Sequence, residues 1–495
     1  MNPFKKHEQT IIAIILVLIN FLIKGIFLSS NSLGGDEPFS IYHAQMDIAS
    51  IIKLLSEGNN PPLYEILLNF WIKLFGISEF SVRFPSLIFS SITVLYIYKL
   101  GTKYLNKRIA LYTSIIFIFS NYHILFAHEA RVYSLLGLLS VVSMYYFMEI
   151  LHHCTIDTNV DHKLKSTVRN KLIRLIIINT LIIYCHYFGF FILITQSIFL
   201  VFNKTLISKY WKQLLTSLAL IGFLYLPNVF VVLNRFIESS SNGTWVKTPN
   251  GIDSVYNMLR QFSNAPVVSV CVILVLLSSF VKFTINKKSE QKSIFNRLVV
   301  FWFVFVFFFM FGVSYFVPMF LDKYLMPAAI AFSLVLGISL DYIIKIRKYR
   351  YIIPIIIILL FVVTVKPDIT NKRNVKETVN KIKDIKDSNT LVLICPSHFI
   401  LNFAYYYNKD IFKDYNADDI YSNINKSLNL ENVYGVNSIN EIDFKKWNKI
   451  VFLDAAASFS YPNNNIKNEL DANYDLTNEF HFYEILNVSE YKSKW

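Results

Sequence analysis

The sequence predicts a polytopic α-helical membrane protein of about eleven transmembrane helices, followed by a small extracytoplasmic α/β domain. Three observations carry that prediction. Apolar runs of about 18 residues, the length that crosses a bilayer, recur eleven times before Pro367. Only 17% of the 495 residues are charged while 54% are hydrophobic, against roughly 25% charged in a soluble domain. After Pro367 the runs stop and shorter apolar stretches alternate with polar ones.

The predicted spans lie at roughly 10–30, 82–100, 109–126, 132–151, 171–186, 188–203, 213–234, 266–284, 298–317, 324–344 and 351–366. The first has no small-residue cleavage site and ten spans behind it, so it is an anchor and not a signal peptide. The pair at 171–203 is split by Cys185-His186-Tyr187-Phe188-Gly189, which must make a tight outer turn. Between the first two spans, residues 31–81 form a long loop. Within it Leu63, Ile66, Leu67, Phe70, Trp71 and Leu74 follow helical spacing, the pattern of an amphipathic helix lying on a membrane face. Residues 1–366 make the membrane domain and 367–495 the soluble one. In the latter KRNVKETVNKIKDIKD reads as a helix, TLVLICP as a buried strand, HFILNFAYYY as a helix and KIVFLDA as a second strand. The Asn-rich stretches between them read as loops.

The net charge is +14. Residues 368–495 hold 15 basic and 18 acidic side chains, so the basic excess belongs wholly to the membrane portion. It falls on alternate loops: 101–108, 152–174, 203–212, 286–292 and 345–350, together with Lys5 and Lys6. The positive-inside rule then places the N-terminus in the cytoplasm and the tail outside; a bacterial cytoplasmic membrane is the most natural home for such a chain. The excess is an orientation signal, and nucleic acid is not a partner. The four cysteines (Cys154, Cys185, Cys271, Cys395) have no paired spacing and read as packing thiols.

A transporter would carry ionisable residues along several spans. Here Lys24 sits near one outer end, and the other polar groups gather at outer helix ends: Asp36-Glu37, Arg83, His128-Glu129-Ala130-Arg131, His186 and Asp322-Lys323-Tyr324. They lie at one depth, as chemistry at the membrane boundary requires. Singly, each also has a structural reading. Arg83 and Lys323 could snorkel, His186 could be a buried hydrogen-bonded histidine, and Glu129 with Arg131 could form a local salt bridge. Nucleotide loops and zinc-protease motifs are absent, and no Asp-x-Asp pair is present to hold a metal–nucleotide-sugar. A sugar donor would therefore be lipid-borne.

The strings NPPLYEILLNFWIKLFGISEFSVRFPS, HEARVYSLL, HYFG and KYLMPA, in this order, resemble the bacterial branch of the dolichyl-phosphate-mannose–protein mannosyltransferase family. That family has the type C glycosyltransferase fold and is related to the lipid A aminoarabinose transferases. The resemblance runs from about residue 30 to 345. It implies an integral-membrane enzyme that moves a hexose or pentose from a polyprenyl-phosphate donor to an acceptor hydroxyl on protein, lipid or polysaccharide, with inversion. The family's acidic motif falls on Asp36 and Glu37 and its second acidic site on Glu129. Its basic residue before Tyr-Leu-x-Pro falls on Lys323, where Arg is commoner, and its His before Pro-Pro-Leu-Tyr is Asn60 here. On that reading Asp36, Glu37 and Glu129 are catalytic, while Lys323, Arg131, Arg83 and His186 meet the donor phosphate. Tyr64, His128 and Tyr324 meet the acceptor or the interface. No cofactor is implied; the acidic pair could hold a divalent cation, though no ligand cluster demands one. The rival readings are a flippase or exporter of lipid-linked sugar, and a type C polysaccharide polymerase or ligase.

Overall fold

The computed structural model describes residues 3–56, 60–156, 162–242, 246–285, 294–344, 346, 348–369, 374–413, 421–483 and 485–494. Each of the eleven predicted runs contains a helix. Among the described residues seven helices are long and apolar enough to cross a membrane, from His7–Gly25 to Asp322–Ile343. Two consecutive helices, Lys107–Ile118 and Asn121–Ala127, pass that test together but meet at 60°. Tyr187–Val201 and Ile352–Val363 are shorter apolar helices. The chain is a multi-pass membrane protein. The predicted stretch 286–292, with parts of 152–174 and 345–350, lies outside the described residues.

Contacts divide the chain into two compact units. One comprises residues 1–27, 55–64 and 84–369; the other comprises 28–54, 65–83 and 370–495. Most of the first loop thus clusters with the tail rather than with the helices that flank it in sequence.

In the membrane unit the predicted span at 109–126 is the one that breaks. Ser120 leaves the helix with φ −82° and ψ 120°, freeing backbone groups that lipid cannot satisfy. The Asn264 amide replaces the missing partners. Its Oδ1 accepts from Asn121 N–H at 2.7 Å and its Nδ2 donates to the Phe119 carbonyl at 2.8 Å. Asn264 itself has φ +64°, a conformation that Asn tolerates better than most residues. At the other end of the helix Arg108 and Asn106 both donate to Asp341, tying its start to the helix Met326–Ile343. The predicted turn between 171–186 and 188–203 is present as a single 3-10 turn, Tyr187–Gly189. A side chain at Gly189 would collide with the Ile182 carbonyl. The run at 213–234 is the middle of a much longer helix, Lys204–Asn242, and a polar helix at Gly251–Phe262 was not anticipated.

The second unit is built on a five-stranded sheet: β1 (Thr390–Cys395), β2 (Val433–Gly435), β3 (Lys449–Ala455), β4 (Tyr474–Tyr483) and β5 (Leu486–Ser493). The order is β2-β1-β3-β5-β4, with β1 parallel to both neighbours and β5 antiparallel to β3 and β4. Every residue of β1 is buried, as its unbroken apolar run requires for a strand covered on both faces. Leu391, Leu393, Ile450, Phe452, Leu470 and Tyr491 make one side of its core. The predicted helices are Val375–Ile385 and Ile400–Tyr407. The Asn-rich stretch Ser422–Asn429, read as loop, is a helix that buries Ile424 and Leu428 at i, i+4. From the first loop come Glu37–His43, Ile48–Ser56 and Leu63–Phe75. The last is the predicted amphipathic helix, with Leu67, Phe70 and Leu74 exposed on one face.

Gly189→Ala should destabilise the detergent-solubilised protein by about 1–3 kcal/mol, the usual cost of overpacking, and so lower its thermal midpoint. Gly222→Ala, at a glycine with open space around its Cβ position, is the control. Equal midpoints for the two variants would refute the close approach at the turn.

Candidate active site

The predicted polar residues fall in two sets, one in each compact unit. In the sheet-bearing unit, Gly35 takes φ +57° and turns the chain into the helix that begins at Glu37. The Glu37 side chain is buried. Its Oε1 accepts from Arg83 Nε at 2.8 Å, and its Oε2 accepts from Arg83 Nη2 at 2.8 Å and from Gly34 N–H at 3.1 Å. Arg83 Nη1 donates to the carbonyls of Leu28 and Asn31, and Nη2 also donates to that of Ser32. A guanidinium has five N–H donors, and all five are spent. Arg83 therefore has none for a donor phosphate, contrary to its predicted role, because it organises the backbone of residues 28–32. The Glu37 carboxylate, expected to be catalytic, is held by this fork.

Asp36, one residue earlier, is exposed. Its charge reaches His398, in the turn Ser397–Phe399 that follows β1; burial lowers the His398 pKa, and the Asp36 carboxylate opposes that shift. Around this pair the loop and tail are stitched together. Asn402 Nδ2 donates to the Gly35 carbonyl at 3.4 Å, and Lys376 N–H to Ser32 Oγ at 3.1 Å. Tyr406 OH donates to Glu79 and accepts from Leu33 N–H, both at 2.6 Å. Tyr405 OH donates to the Ile77 carbonyl. Glu65, buried, accepts from Ser40 Oγ at 2.8 Å. His398 and Glu65 were not singled out in the sequence: one sits on a short turn in the tail, the other inside an apolar helical repeat.

In the membrane unit a second set surrounds Lys323. Its Nζ lies 5.9 Å from the ring centre of Tyr133 and 5.8 Å from that of Tyr324. His186 packs against Tyr324, Tyr133 and Phe188 at 5.6, 6.1 and 5.1 Å. The His186 Nδ1 accepts from Phe188 N–H at 3.2 Å, which leaves its proton on Nε2. Burial first, then the charges of Arg131 and Lys323, push its pKa down to about 3. His186 is therefore neutral. It brings the cluster an N–H donor and not the positive charge expected of it; Lys323 and the buried Arg131 carry the charge. Asp322 Oδ1 accepts from Lys323 N–H, and the Asp322 carbonyl accepts from Tyr122 OH at 2.7 Å, so the Lys323 backbone is fixed from both sides. Glu129 is half-buried, with its carbonyl held by Ser86 Oγ at 2.6 Å.

His128, expected at the acceptor side, is buried instead. Its Nε2 faces the Lys24 carbonyl at 2.7 Å and its Nδ1 that of Ile369 at 3.3 Å. Carbonyls only accept and a neutral imidazole carries one N–H; the shorter contact takes it, so Nε2 donates to the Lys24 carbonyl. Tyr64 is also buried, at 1% exposure, which removes it from any outer surface where an acceptor could meet it. Among the described residues no group of three His, Cys, Asp or Glu side chains is placed to hold a metal ion.

Solved structures share this fold over nearly the whole chain. ArnT from Cupriavidus metallidurans, in a crystal with undecaprenyl phosphate, matches with a TM-score of 0.59 at 11% identity, over 96% of this chain and 97% of that one. The oligosaccharyltransferase of Archaeoglobus fulgidus matches with a TM-score of 0.53 at 13% identity, covering 90% of this chain and 68% of its own. The fold is thus the one these proteins share. Residues 59–228 match the family described as dolichyl-phosphate-mannose-protein mannosyltransferase, the family whose motifs the sequence resembles. No curated protein matches the sequence.

Two outcomes follow from this geometry. Removing one partner of a buried ion pair costs about 3–5 kcal/mol, so Glu37→Gln should lower the thermal midpoint markedly. Arg83→Met should lower it further, through the three lost carbonyl contacts, and the double variant should be no worse than Arg83→Met alone. Strict additivity would refute the pair. Separately, a histidine with a folded pKa near 3 and an unfolded one near 6.5 stabilises the fold fully only above about pH 6.5. Stability should decline as the pH falls from there towards 3, and His186→Gln should flatten that decline. An unchanged slope in acid melts would count against the buried neutral imidazole.

Proposed function

We propose that this protein transfers a sugar from a polyprenyl-phosphate donor to an acceptor hydroxyl on the outer face of a bacterial cytoplasmic membrane. The observation that carries the donor half is Lys323, set between the rings of Tyr133 and Tyr324 beside a neutral His186 that also feels the charge of Arg131. Such a group offers fixed positive charge to a phosphate that gains charge as it leaves, in surroundings of low dielectric where that charge counts for most. The Nε2–H of His186 adds a hydrogen bond. The orientation, with the N-terminus inside and the tail outside, follows from the basic residues of the alternate loops.

Asp36 is assigned as the general base. Exposed and unencumbered by the Glu37–Arg83 fork, its carboxylate takes the proton of the acceptor hydroxyl as that oxygen attacks the anomeric carbon. The bond from the anomeric carbon to the phosphate oxygen breaks, its electron pair leaves with the polyprenyl phosphate, and in-line attack inverts the centre. Glu129 is the second carboxylate, orienting the acceptor. Energy comes from the sugar–phosphate bond, so no nucleotide enters. Lys at 323 contributes a point charge where Arg would grip with a fork.

The ArnT relative was crystallised with undecaprenyl phosphate and the archaeal relative with an acceptor peptide. The first supports a lipid-borne donor here and the second an acceptor met by the same fold, with protein, lipid and polysaccharide all candidate acceptors. Asp36→Asn should abolish transfer to acceptors in membranes while leaving donor binding near the wild-type level. Persistent transfer by that variant would remove Asp36 from the chemistry. Lys323→Ala should raise the KM for donor, and Lys323→Arg should keep it low; equal donor dependence in both would refute the phosphate assignment. A flippase would instead move labelled lipid across vesicles without changing the mass of any acceptor.

A further inference from the structure

At the end of the membrane unit that the loop charge assigns to the cytoplasm, tyrosines from two helices meet in one cluster. Tyr145 is its centre. Its ring lies 5.6 Å from that of Tyr96, 5.5 Å from that of Tyr146 and 5.8 Å from that of Tyr104. Tyr96 stands near the end of Glu79–Leu100, and Tyr145 and Tyr146 belong to Tyr133–Ile156. Each outer ring carries a cation. Lys99 Nζ lies 5.4 Å from the Tyr96 ring and Lys103 Nζ 5.3 Å from the Tyr104 ring. The Arg174 guanidinium, on a third helix, His162–Cys185, lies 5.8 Å from the Tyr146 ring. Lys99 and Arg174 are exposed, while Tyr96 and Tyr146 are half-buried.

The charge on this surface is unbalanced. Glu149 pairs with Lys103 at 2.7 Å and with Lys171 at 3.2 Å. Among the described residues it is the one carboxylate that pairs with any of these four cations. Lys99 and Arg174 are held instead by ring faces, which attract a cation without neutralising it. The Tyr96 and Tyr146 hydroxyls share a hydrogen bond, and the charge of Arg174 reaches Tyr96. Two hydroxyls that share one hydrogen bond keep one O–H to donate. An ammonium and a guanidinium flanking such a hydroxyl pair are the donors that phosphate oxygens take. Lys99 is one residue from its helix end, and Arg174 falls in the first turn of the span predicted from residue 171. Both cations therefore stand at headgroup depth.

We propose that this surface binds the headgroup of an anionic phospholipid, its phosphate held by Lys99, Arg174 and the Tyr96–Tyr146 hydroxyl pair. Basic surfaces between membrane helices recognise anionic headgroups by this chemistry, and the depth of the two cations selects lipid over a soluble anion. The site is independent of the transferase reading.

Native mass spectrometry of the detergent-purified full chain, offered equal amounts of dioleoyl phosphatidylglycerol and dioleoyl phosphatidylcholine, tests it. The wild type should retain one lipid, with phosphatidylglycerol favoured on the order of tenfold. Lys99→Gln with Arg174→Gln, both at exposed positions, should bring the two lipids to parity. Tyr96→Phe with Tyr146→Phe keeps every charge and should still weaken the preference. Lys348→Gln with Arg350→Gln is the control. It removes two cations that also lie against tyrosine rings, in another loop assigned to the same face, and should leave the preference intact. Equal retention of both lipids by the wild type would overturn the proposal, and so would a preference that survives Lys99→Gln with Arg174→Gln. An equal loss in the control would overturn it too, because the preference would then belong to the overall charge of that face.

Discussion

The guanidinium of Arg83 is the centre around which the outer loop is organised. Residues 28–32 form neither helix nor strand beyond the end of the first span, so their carbonyls have no ladder to join. Three of them converge on one cation, and a buried carboxylate from the next helix, Glu37, neutralises it. A charge taken out of water is tolerable only when it is paired and its remaining hydrogen bonds are met. Here every donor is met, and the loop acquires one conformation as a result. That conformation leaves Asp36 outside the fork at the head of its helix, and the tail's tyrosines bind to the ordered loop. Loop and tail thus form one folded unit although more than 280 residues separate them in the chain.

The same economy operates inside the membrane unit, where a missing backbone hydrogen bond has no water to replace it. Asn264 supplies both the donor and the acceptor that the broken span at Ser120 lacks. His128 donates to the Lys24 carbonyl, and Ser143, Asn179 and Gln196 hydrogen-bond one another in a closed ring across three helices. Each of these is a neutral polar device at a place where regular helix contacts end or where two helices must keep a fixed register.

Much of this fold was legible because lipid imposes a length and an apolar composition on every span. The strand Thr390–Cys395 was equally plain, since a strand buried on both faces has no polar positions. The break at Ser120 was not visible: the residues around it are apolar, and its cause, Asn264, lies in another part of the chain. Ser422–Asn429 was hidden for the opposite reason, its polar composition masking two apolar residues at helical spacing. In the candidate site, residue types did not reveal which side chains hold backbone. Arg83 and His128 turned out to serve the backbone, and His186 has the charge state of its structural reading. Those outcomes depend on which carbonyls lie within reach, and spacing along one chain does not encode that.

Lys24 has a consequence for how the molecule is made. Its side chain is fully buried, donates to Ser90 Oγ and lies 4.3 Å from the ring of Phe117. Its hydroxyl partner is synthesised 66 residues later. At roughly 5–20 residues per second, the first helix spends several seconds in the membrane with an ammonium that has no partner there. Placed one residue from the helix end, Lys24 can hold its charge at the headgroups during that interval. The later burial of the same side chain then draws the first helix onto the second and third, so one residue serves first as a surface anchor and afterwards as an internal latch.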